Sequence, residues 1–367
     1  MHSNNDFSKF PRCLRPNMQE LCTSNKLGLS VNDIKLIPNK HGDSYHYVIK
    51  IPYAGKKLTW EIMFNPGDFE FAPDFYFNEE EFMNDPEIED VLENIPALTS
   101  YDLNNCKSIT ELLTQFLHSY KKFHIEKLRT EVKHEKVREA FDSLLKEDNV
   151  SVDDVELYVD TNVAHLLIKL NFDFGLLDHY IQTDLNNLVD PGPCFVHLRL
   201  TYTCSGNKVS PFLEISAKVE QCLGCSKFKI PPWKPEFTAL EYIDMLKIAI
   251  NERIAMKREA AQKRKMFICQ LISDHNKDII EYDLINLMYC CIAYNVEDRK
   301  YAVKITLDSD FPQKRPHLLV IFTCSMDCKM VIRNFQWNPS GDVDKMLENL
   351  YACLDEELPK AYKSHKH

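Results

Sequence analysis

Hydrophobic and polar residues alternate in three separate regions of the chain, and in each region a pair of such segments is joined by a short turn. A period of two is typical of a strand with one buried face. A further strand-like segment precedes each pair. The predicted strands are 46–52, 58–64 and 73–77, then 164–174, 196–202 and 211–215, then 287–294, 301–307 and 316–322. The pattern therefore predicts three antiparallel meanders.

Each predicted meander is followed by a segment in which apolar residues recur every three or four positions, as on one face of a helix. These segments are 108–145, about 237–273 and 343–358. The first begins with Ser108 and has Glu111 three residues later, which is typical of a capping box. We expect the three helices to cover the three sheets.

A Trp-x-Pro motif supports the repeat. It occurs at Trp233 and again at Trp337, each time a few residues before the last helix of its region, whereas Tyr101 stands at the corresponding place after the first meander. We therefore expect an α+β protein of three units, with boundaries at 1–125, 126–255 and 256–367. Long helices rather than Gly/Ser-rich linkers join the second and third units, which favours stiff connections.

Composition excludes several classes of protein. The 44 Lys and Arg against 55 Asp and Glu give a formal net charge of -11, which argues against a protein that follows nucleic-acid phosphates. With nine glycines, the chain contains neither G-x-G-x-x-G nor G-x-x-x-x-G-K-[ST]. No apolar run approaches the ~20 residues of a membrane span, and no signal-peptide pattern opens the chain. We expect an intracellular protein with reduced thiols, without nucleic-acid or membrane partners.

The meander, the turn with Phe311, Pro312 and Pro316, the Trp337-x-Pro339 motif and the closing helix together resemble the ubiquitin-conjugating fold and its RWD relatives. The segments 51–65 and 73–77 closely resemble the BRE family, the ubiquitin-E2-variant (UEV) scaffolds of BRISC-type deubiquitinase complexes. The similarity to this family extends over roughly residues 20–360. The resemblance implies tandem UEV/RWD units, antiparallel meanders packed on helices and joined by long helices.

The resemblance also raises the question of catalysis. A conjugating enzyme needs a thiol nucleophile and an oxyanion donor, usually the Asn of a His-Pro-Asn turn, and this turn is absent from the sequence. The first unit has no cysteine between Cys22 and Cys106, whereas Cys225 and Cys328 precede the two Trp-x-Pro motifs at about the family's spacing. Since loss of an oxyanion donor costs ~10²–10³ in rate, we interpret the chain as non-catalytic. The alternative is a ubiquitin or ubiquitin-like conjugating transferase that uses Cys225 or Cys328.

The sequence does not contain a complete set of ligands for a metal ion. Cys222 and Cys225 have the spacing of one half of a zinc knuckle, but a structural site needs four ligands. Cys290 and Cys291 are adjacent on a predicted strand, so their thiols point to opposite faces. The final His-x-His at 365–367 lacks the Ser-x-x-Asp that JAMM metalloproteases place downstream. We expect neither a metal nor a cofactor.

The resemblance implies a non-catalytic scaffold in a deubiquitinase complex. Such a chain would bridge an Abraxas-type scaffold and its JAMM metalloprotease to the MERIT subunit, which is von Willebrand A-like. The complex would cleave lysine-sixty-three-type ubiquitin chains in cytoplasm and nucleus, with a role in the DNA damage response. Ubiquitin is a further partner that the family suggests. A free-standing ubiquitin receptor is a third hypothesis.

Grooves of this class bind short extended or Pro-containing peptides. We therefore place a candidate partner- or peptide-binding site on two segments of the third unit. Its residues are Phe311, Pro312, Arg315, Pro316, Phe335, Trp337 and Pro339.

Other prominent residues have structural interpretations. Trp60, Trp233, Phe75 and Phe77 are predicted core residues. We interpret the basic segment 253–265 as a solvated helix face, with a docking stripe for an acidic partner or phosphate as the alternative. The acidic run that begins at 78 is predicted to be loop surface.

Overall fold

The computed structural model describes residues 7–24, 26–38, 45–65, 67–146, 150–175, 194–203, 208–224, 228–308, 310–322, 329–333 and 335–365. These residues form a mixed α/β structure with three antiparallel sheets. The chain divides into two compact units. Unit 1 comprises Met1–Asn171, Phe195–Glu214 and Ile230–Asp244, and unit 2 comprises Phe172–Cys194, Ile215–Lys229 and Met245–His367. None of the described helices is long and apolar enough to span a bilayer.

The first sheet of unit 1 has its four strands in sequence order. They are β1 (Ile34–Leu36), β2 (His46–Tyr53), β3 (Lys56–Met63) and β4 (Asp74–Phe77). Alternate residues of β2 and β3 face the core, and Trp60 is 2% exposed. The helices that accompany this sheet are α1 (Arg15–Thr23), α2 (Ile88–Asn94) and α3 (Ser108–Thr130).

The second sheet of unit 1 is a meander of β5 (Val155–Val159), β6 (Val163–Lys169), β7 (Val196–Thr203) and β8 (Lys208–Ile215). Helix α4 (Glu135–Lys146) precedes it. The buried positions of β5 and β7 alternate, as expected for strands with one face against a core.

Unit 2 contains the third sheet, whose order is β13-β12-β11-β10-β9. Its strands are β9 (Ile279–Tyr282), β10 (Tyr289–Val296), β11 (Arg299–Thr306), β12 (His317–Phe322) and β13 (Lys329–Ile332). The remaining helices are α5 (Ala217–Leu223), α6 (Ala239–Asp274) and α7 (Val343–His365). The core of unit 2 is formed by the inner faces of the sheet, the end of α6 and the apolar face of α7.

The alternation of hydrophobic and polar residues correctly predicted the central strands of all three sheets. Each predicted strand overlaps a strand of the structure, although the one predicted over 164–174 ends at Lys169. The predicted core residue Trp60 is buried, and Phe75 and Phe77 are half-buried against the same core. Tyr101 also packs there. Trp233 is half-buried, with its ring centroid 5.0 Å from that of Tyr242.

The single helix predicted over 108–145 is wrong, because the structure has two helices there. α3 ends at Thr130, a 3-10 turn follows, and α4 begins at Glu135. Leu128 and Val137 are both buried but are nine residues apart. At 100° per residue, a continuous helix would place them on roughly opposite sides, so the break is what buries both.

The predicted capping box at the start of α3 is also wrong. Lys107 is the N-cap residue and no side chain caps this helix. The Ser108 hydroxyl instead donates to the carbonyl oxygen of Asp102 at 2.7 Å and accepts the Asp102 N–H at 3.4 Å. Ser108 therefore holds the loop at Asp102 and does not cap the helix.

Within unit 1, the turn between β2 and β3 is fixed by the second sheet. Ala54 and Gly55 have φ angles of 49° and 75°, the left-handed region that a tight hairpin turn requires. The buried Ala54 N–H donates to Glu156 Oε2 at 2.5 Å. The Gly55 carbonyl oxygen accepts a hydrogen bond from Arg199 Nη1 at 2.9 Å. Both bonds join the first sheet to the second.

Close approach makes Gly55 necessary at this turn. A Cβ atom at Gly55 would lie 2.5 Å from Arg199 Cδ, and the positive φ angle would strain any other residue. Beside the turn, the Tyr53 hydroxyl donates to the carbonyl oxygen of Leu157 at 3.0 Å. Burial raises the pKa of Glu156, and the Ala54 N–H and Lys121 act in the opposite direction.

We predict that Glu156→Ala lowers the free energy of unfolding by about 1–3 kcal/mol, since it leaves the buried Ala54 N–H without an acceptor. Glu156→Gln keeps an acceptor oxygen and removes the buried charge, so its loss should be clearly smaller. Urea unfolding followed by circular dichroism measures both variants. Equal losses in the two variants would show that this hydrogen bond does not stabilise the turn.

Candidate functional site

The predicted binding residues lie in unit 2, on the segments between β11 and β12 and between β13 and α7. Trp337 stands at the centre of the group. Its indole Nε1 donates to the carbonyl oxygen of Pro312 at 2.7 Å, and its ring centroid lies 5.6 Å from that of Phe311 and 5.9 Å from that of Phe335. Two loops that are distant in sequence are thus joined by one aromatic cluster.

Burial divides the predicted residues into two groups. Phe311 is 1% exposed and Pro312 and Pro316 are also buried, so these three support the loop from within. Phe267 of α6 packs against this core, with ring centroids 5.2 Å from Phe311 and 6.1 Å from Trp337.

The other four predicted residues are accessible to a partner. Arg315 is exposed and its guanidinium carbon lies 6.0 Å from the centroid of the Phe335 ring. Phe335, Trp337 and Pro339 are half-buried. The portion of the predicted site that a peptide could contact is therefore smaller than the sequence indicated.

Sequence reasoning missed a neighbouring pocket. A cavity of about 330 Å³ lies between α6 and the Phe311–Pro312 turn. It brings residues of the basic segment 253–265 next to the predicted turn, although the two are separated by many residues in sequence. No local signal could have revealed this, because it depends on how α6 packs in unit 2.

Charged groups order the turn at the rim of this pocket. Lys257 Nζ lies 3.4 Å from Asp310 Oδ1, and Lys314 Nζ lies 3.2 Å from Asp310 Oδ2. The hydrogen bond from Lys314 and the charge of Lys257 hold the pKa of Asp310 below its usual range, although burial acts in the opposite direction. Asp310 is therefore ionised at neutral pH.

The candidate nucleophiles Cys225 and Cys328 lie outside the described residues, so the transferase alternative stays a hypothesis. The adjacent Cys290 and Cys291 are both buried on β10. Burial raises the pKa of Cys290 to about 11 and also raises that of Cys291, which keeps both as neutral thiols. Across the portion of the chain that the structure describes, no three His, Cys, Asp or Glu side chains converge as metal ligands.

Unit 1 has a larger, polar pocket of about 440 Å³ beside the loop that follows β4. Its wall contains Glu79, which was predicted to be loop surface but is half-buried. The Tyr120 hydroxyl donates to Glu79, and Lys127 Nζ lies 3.8 Å from Glu79 Oε1 and 2.5 Å from Glu81 Oε2. The fully buried His124 points its Nε2 at Glu79 Oε2 from 3.6 Å, since its Nδ1 accepts the Val159 N–H.

This cluster ties the end of α3 to the loop after β4. Burial alone would raise the pKa of Glu79, but the nearby His124 imidazole, the hydrogen bond from Tyr120 and the charge of Lys127 lower it overall. Because the tyrosine and lysine are held by carboxylates of the same loop, the arrangement is that of a structural ion cluster.

The structure thus defines a mixed α/β protein of antiparallel meanders, with two pockets at the positions described above. A sequence profile of the family described as brain and reproductive organ-expressed protein (BRE) matches residues 8–324. The chain belongs to the BRE family.

Two curated relatives are similar over most of their length. A protein of Danio rerio named BRISC and BRCA1-A complex member 2 is 24% identical over 373 residues, which cover 95% of this chain and 93% of the relative. A Branchiostoma floridae protein with the same name is 26% identical over 317 residues, covering 83% and 78%.

We predict that Trp337→Phe lowers the free energy of unfolding of the chain by about 1 kcal/mol, because it removes the indole N–H that satisfies the Pro312 carbonyl and keeps an aromatic ring. Trp337→Ala, which also removes the packing against Phe311, should cost more. Chemical denaturation compares the two. A Trp337→Phe variant as stable as the wild type would contradict the anchoring role of the hydrogen bond.

We also predict a pH dependence from the depressed pKa of Glu79. Its stabilising contribution is present above the ordinary carboxyl pKa of 4.5 and is lost as pH falls through the lower pKa of the folded chain. The wild type should therefore exceed Glu79→Gln in stability at about pH 6 and lose this advantage towards about pH 3. A difference that is constant across this pH range would show that the carboxylate charge contributes nothing.

Proposed function

We propose that this chain is a non-catalytic scaffold subunit of a deubiquitinase complex of the BRISC or BRCA1-A type. The observation that carries the proposal is the BRE family match over residues 8–324, together with two relatives that bear the name of a member of those complexes over most of their length. Sheets joined by partly buried hydrogen bonds, as in unit 1, suit a subunit that must present fixed surfaces to several partners.

In finer detail, the chain bridges an Abraxas-type scaffold and its JAMM metalloprotease to a MERIT-type, von Willebrand A-like subunit. The complex trims lysine-sixty-three-type ubiquitin chains in cytoplasm and nucleus, including during the DNA damage response. The three meanders would then be UEV/RWD modules with boundaries at 1–125, 126–255 and 256–367. Antiparallel meanders followed by helices support this division, since such modules have this order of elements.

We also propose that this chain has no catalytic activity of its own. It rests on the missing His-Pro-Asn turn, without which a thiol at Cys225 or Cys328 would have no oxyanion donor from that motif. Arg315, Phe335, Trp337 and Pro339 are the accessible candidates for peptide contact.

We predict that the tagged chain, expressed in cells that lack the endogenous protein, co-purifies with a JAMM-type protease and restores cleavage of lysine-sixty-three-linked chains. A variant with both Cys225→Ser and Cys328→Ser should restore the same activity, because the proposed role needs neither thiol. The purified chain, incubated with activating enzyme, ATP and ubiquitin, should form no adduct that a thiol reductant releases.

Failure to capture a JAMM-type subunit would contradict the scaffold role and favour a free-standing receptor. A reducible ubiquitin adduct lost in one of the Cys→Ser single variants would instead establish the transferase.

A further inference from the structure

One segment of helix α6 in unit 2 concentrates positive charge in an otherwise acidic protein. Between 253 and 265, α6 has six basic residues and one acidic residue, whereas the whole chain has a formal net charge of -11. The basic residues are Arg253, Lys257, Arg258, Lys263, Arg264 and Lys265. Arg253 and Lys257 are four positions apart, a spacing at which like charges destabilise a helix.

Several of these residues form one wall of the pocket beside the Phe311–Pro312 turn. Arg253, Lys257 and Lys263 line it, and the acidic residues of the lining are Glu259 and Asp310. The pocket thus has three cations against two carboxylates. One of those carboxylates, on Asp310, is also shared with a fourth cation, as described above.

Two of the three cations of the pocket, Lys257 and Lys263, form ion pairs with the carboxylates of the pocket. Lys257 pairs with Asp310, and Lys263 Nζ lies 3.1 Å from Oε1 of the exposed Glu259, a pair within one helix that is easily exchanged for another partner. Arg253 differs, because its Nε donates to the neutral carbonyl of Leu223 at 3.0 Å. Among the described residues, Arg253 has no carboxylate within ion-pair distance, so its charge is available to a ligand.

The pocket also has an apolar surface. Met256, which is 58% exposed, and Ala260 lie on the helix side, and Phe311 and Pro312 lie on the opposite side. An exposed methionine is a flexible apolar surface that adapts to different side chains. Cations around an apolar centre match a ligand in which carboxylates flank a hydrophobic residue.

We propose that this pocket is a docking site for an acidic segment of a partner protein. Carboxylates of the segment pair with Arg253 and Lys263, and an apolar side chain rests on Met256 and Pro312. A nucleic acid fits less well, because its backbone has a charge at every nucleotide and offers no aliphatic side chain to the apolar surface of Met256 and Pro312. The inference does not depend on membership of a deubiquitinase complex.

The test uses the purified full chain and a fluorescein-labelled synthetic peptide in which Asp and Glu alternate with Leu, with fluorescence anisotropy as the readout. We expect the wild type to bind this peptide more weakly as salt is raised, and to bind a matched peptide with Asn and Gln far less tightly. The double variant Arg253→Gln and Lys263→Gln should bind at least about tenfold more weakly. Arg253→Gln keeps an N–H donor for the Leu223 carbonyl.

A matched control removes the same charge elsewhere. Lys265 lies two residues beyond Lys263, on roughly the opposite side of α6, and Lys345 is exposed on α7. The double variant Lys265→Gln and Lys345→Gln should keep affinity within about twofold of the wild type, because only long-range attraction changes. Met256→Ser should weaken binding without altering its dependence on salt.

Three results would overturn the proposal: no detectable binding of the acidic peptide, equal losses in the pocket and control variants, or tighter binding of a single-stranded oligonucleotide of the same charge. Melting curves of all variants establish that each is folded. Because this assay contains no other subunit, its failure leaves the complex-membership experiment unaffected, and the reverse also holds.

Discussion

The structure of unit 1 depends on the partly buried hydrogen bonds that hold the β2–β3 turn against the second sheet. The Ala54 N–H and the Gly55 carbonyl are satisfied by Glu156 and Arg199, side chains that come from a different meander. Opening this contact would leave buried polar groups unpaired, which costs more than the hydrogen bonds contribute when formed. Two sheets that could have been separate are thereby constrained to act as one body, a property that suits the proposed scaffold role.

The two cavities differ in whether their charged groups have partners of opposite charge. In unit 1, Glu79 accepts from Tyr120 and lies within ion-pair distance of Lys127, and these contacts occupy the wall of the polar pocket. In unit 2, Arg253 has only a neutral carbonyl as its hydrogen-bond partner among the described residues. Satisfied charges stabilise a fold, whereas a cation without a counter-charge next to an apolar surface is suited to binding.

The central strands could be predicted because each has one face buried and therefore alternates. β1, β5, β9 and β13 were missed; each is an edge strand of three to five residues, so its alternation rests on few positions. The break between α3 and α4 could have been predicted only from the positions of Leu128 and Val137, which would lie on opposite sides of a continuous helix. The capping box predicted at Ser108 is wrong because the Ser108 hydroxyl donates to a loop carbonyl instead. For the candidate site, sequence identified the aromatic residues, but which are buried and which line a groove depends on the packing of α6.

Native-state hydrogen exchange of the full chain, resolved by residue, tests the central claim most directly. If the turn contact unites the two sheets of unit 1, amides of β2 and β3 and amides of β5–β7 open with the same free energy, in one cooperative step. If the second sheet exchanges at a clearly lower free energy while the first remains protected, the two meanders are independent and the account of a single rigid body is wrong.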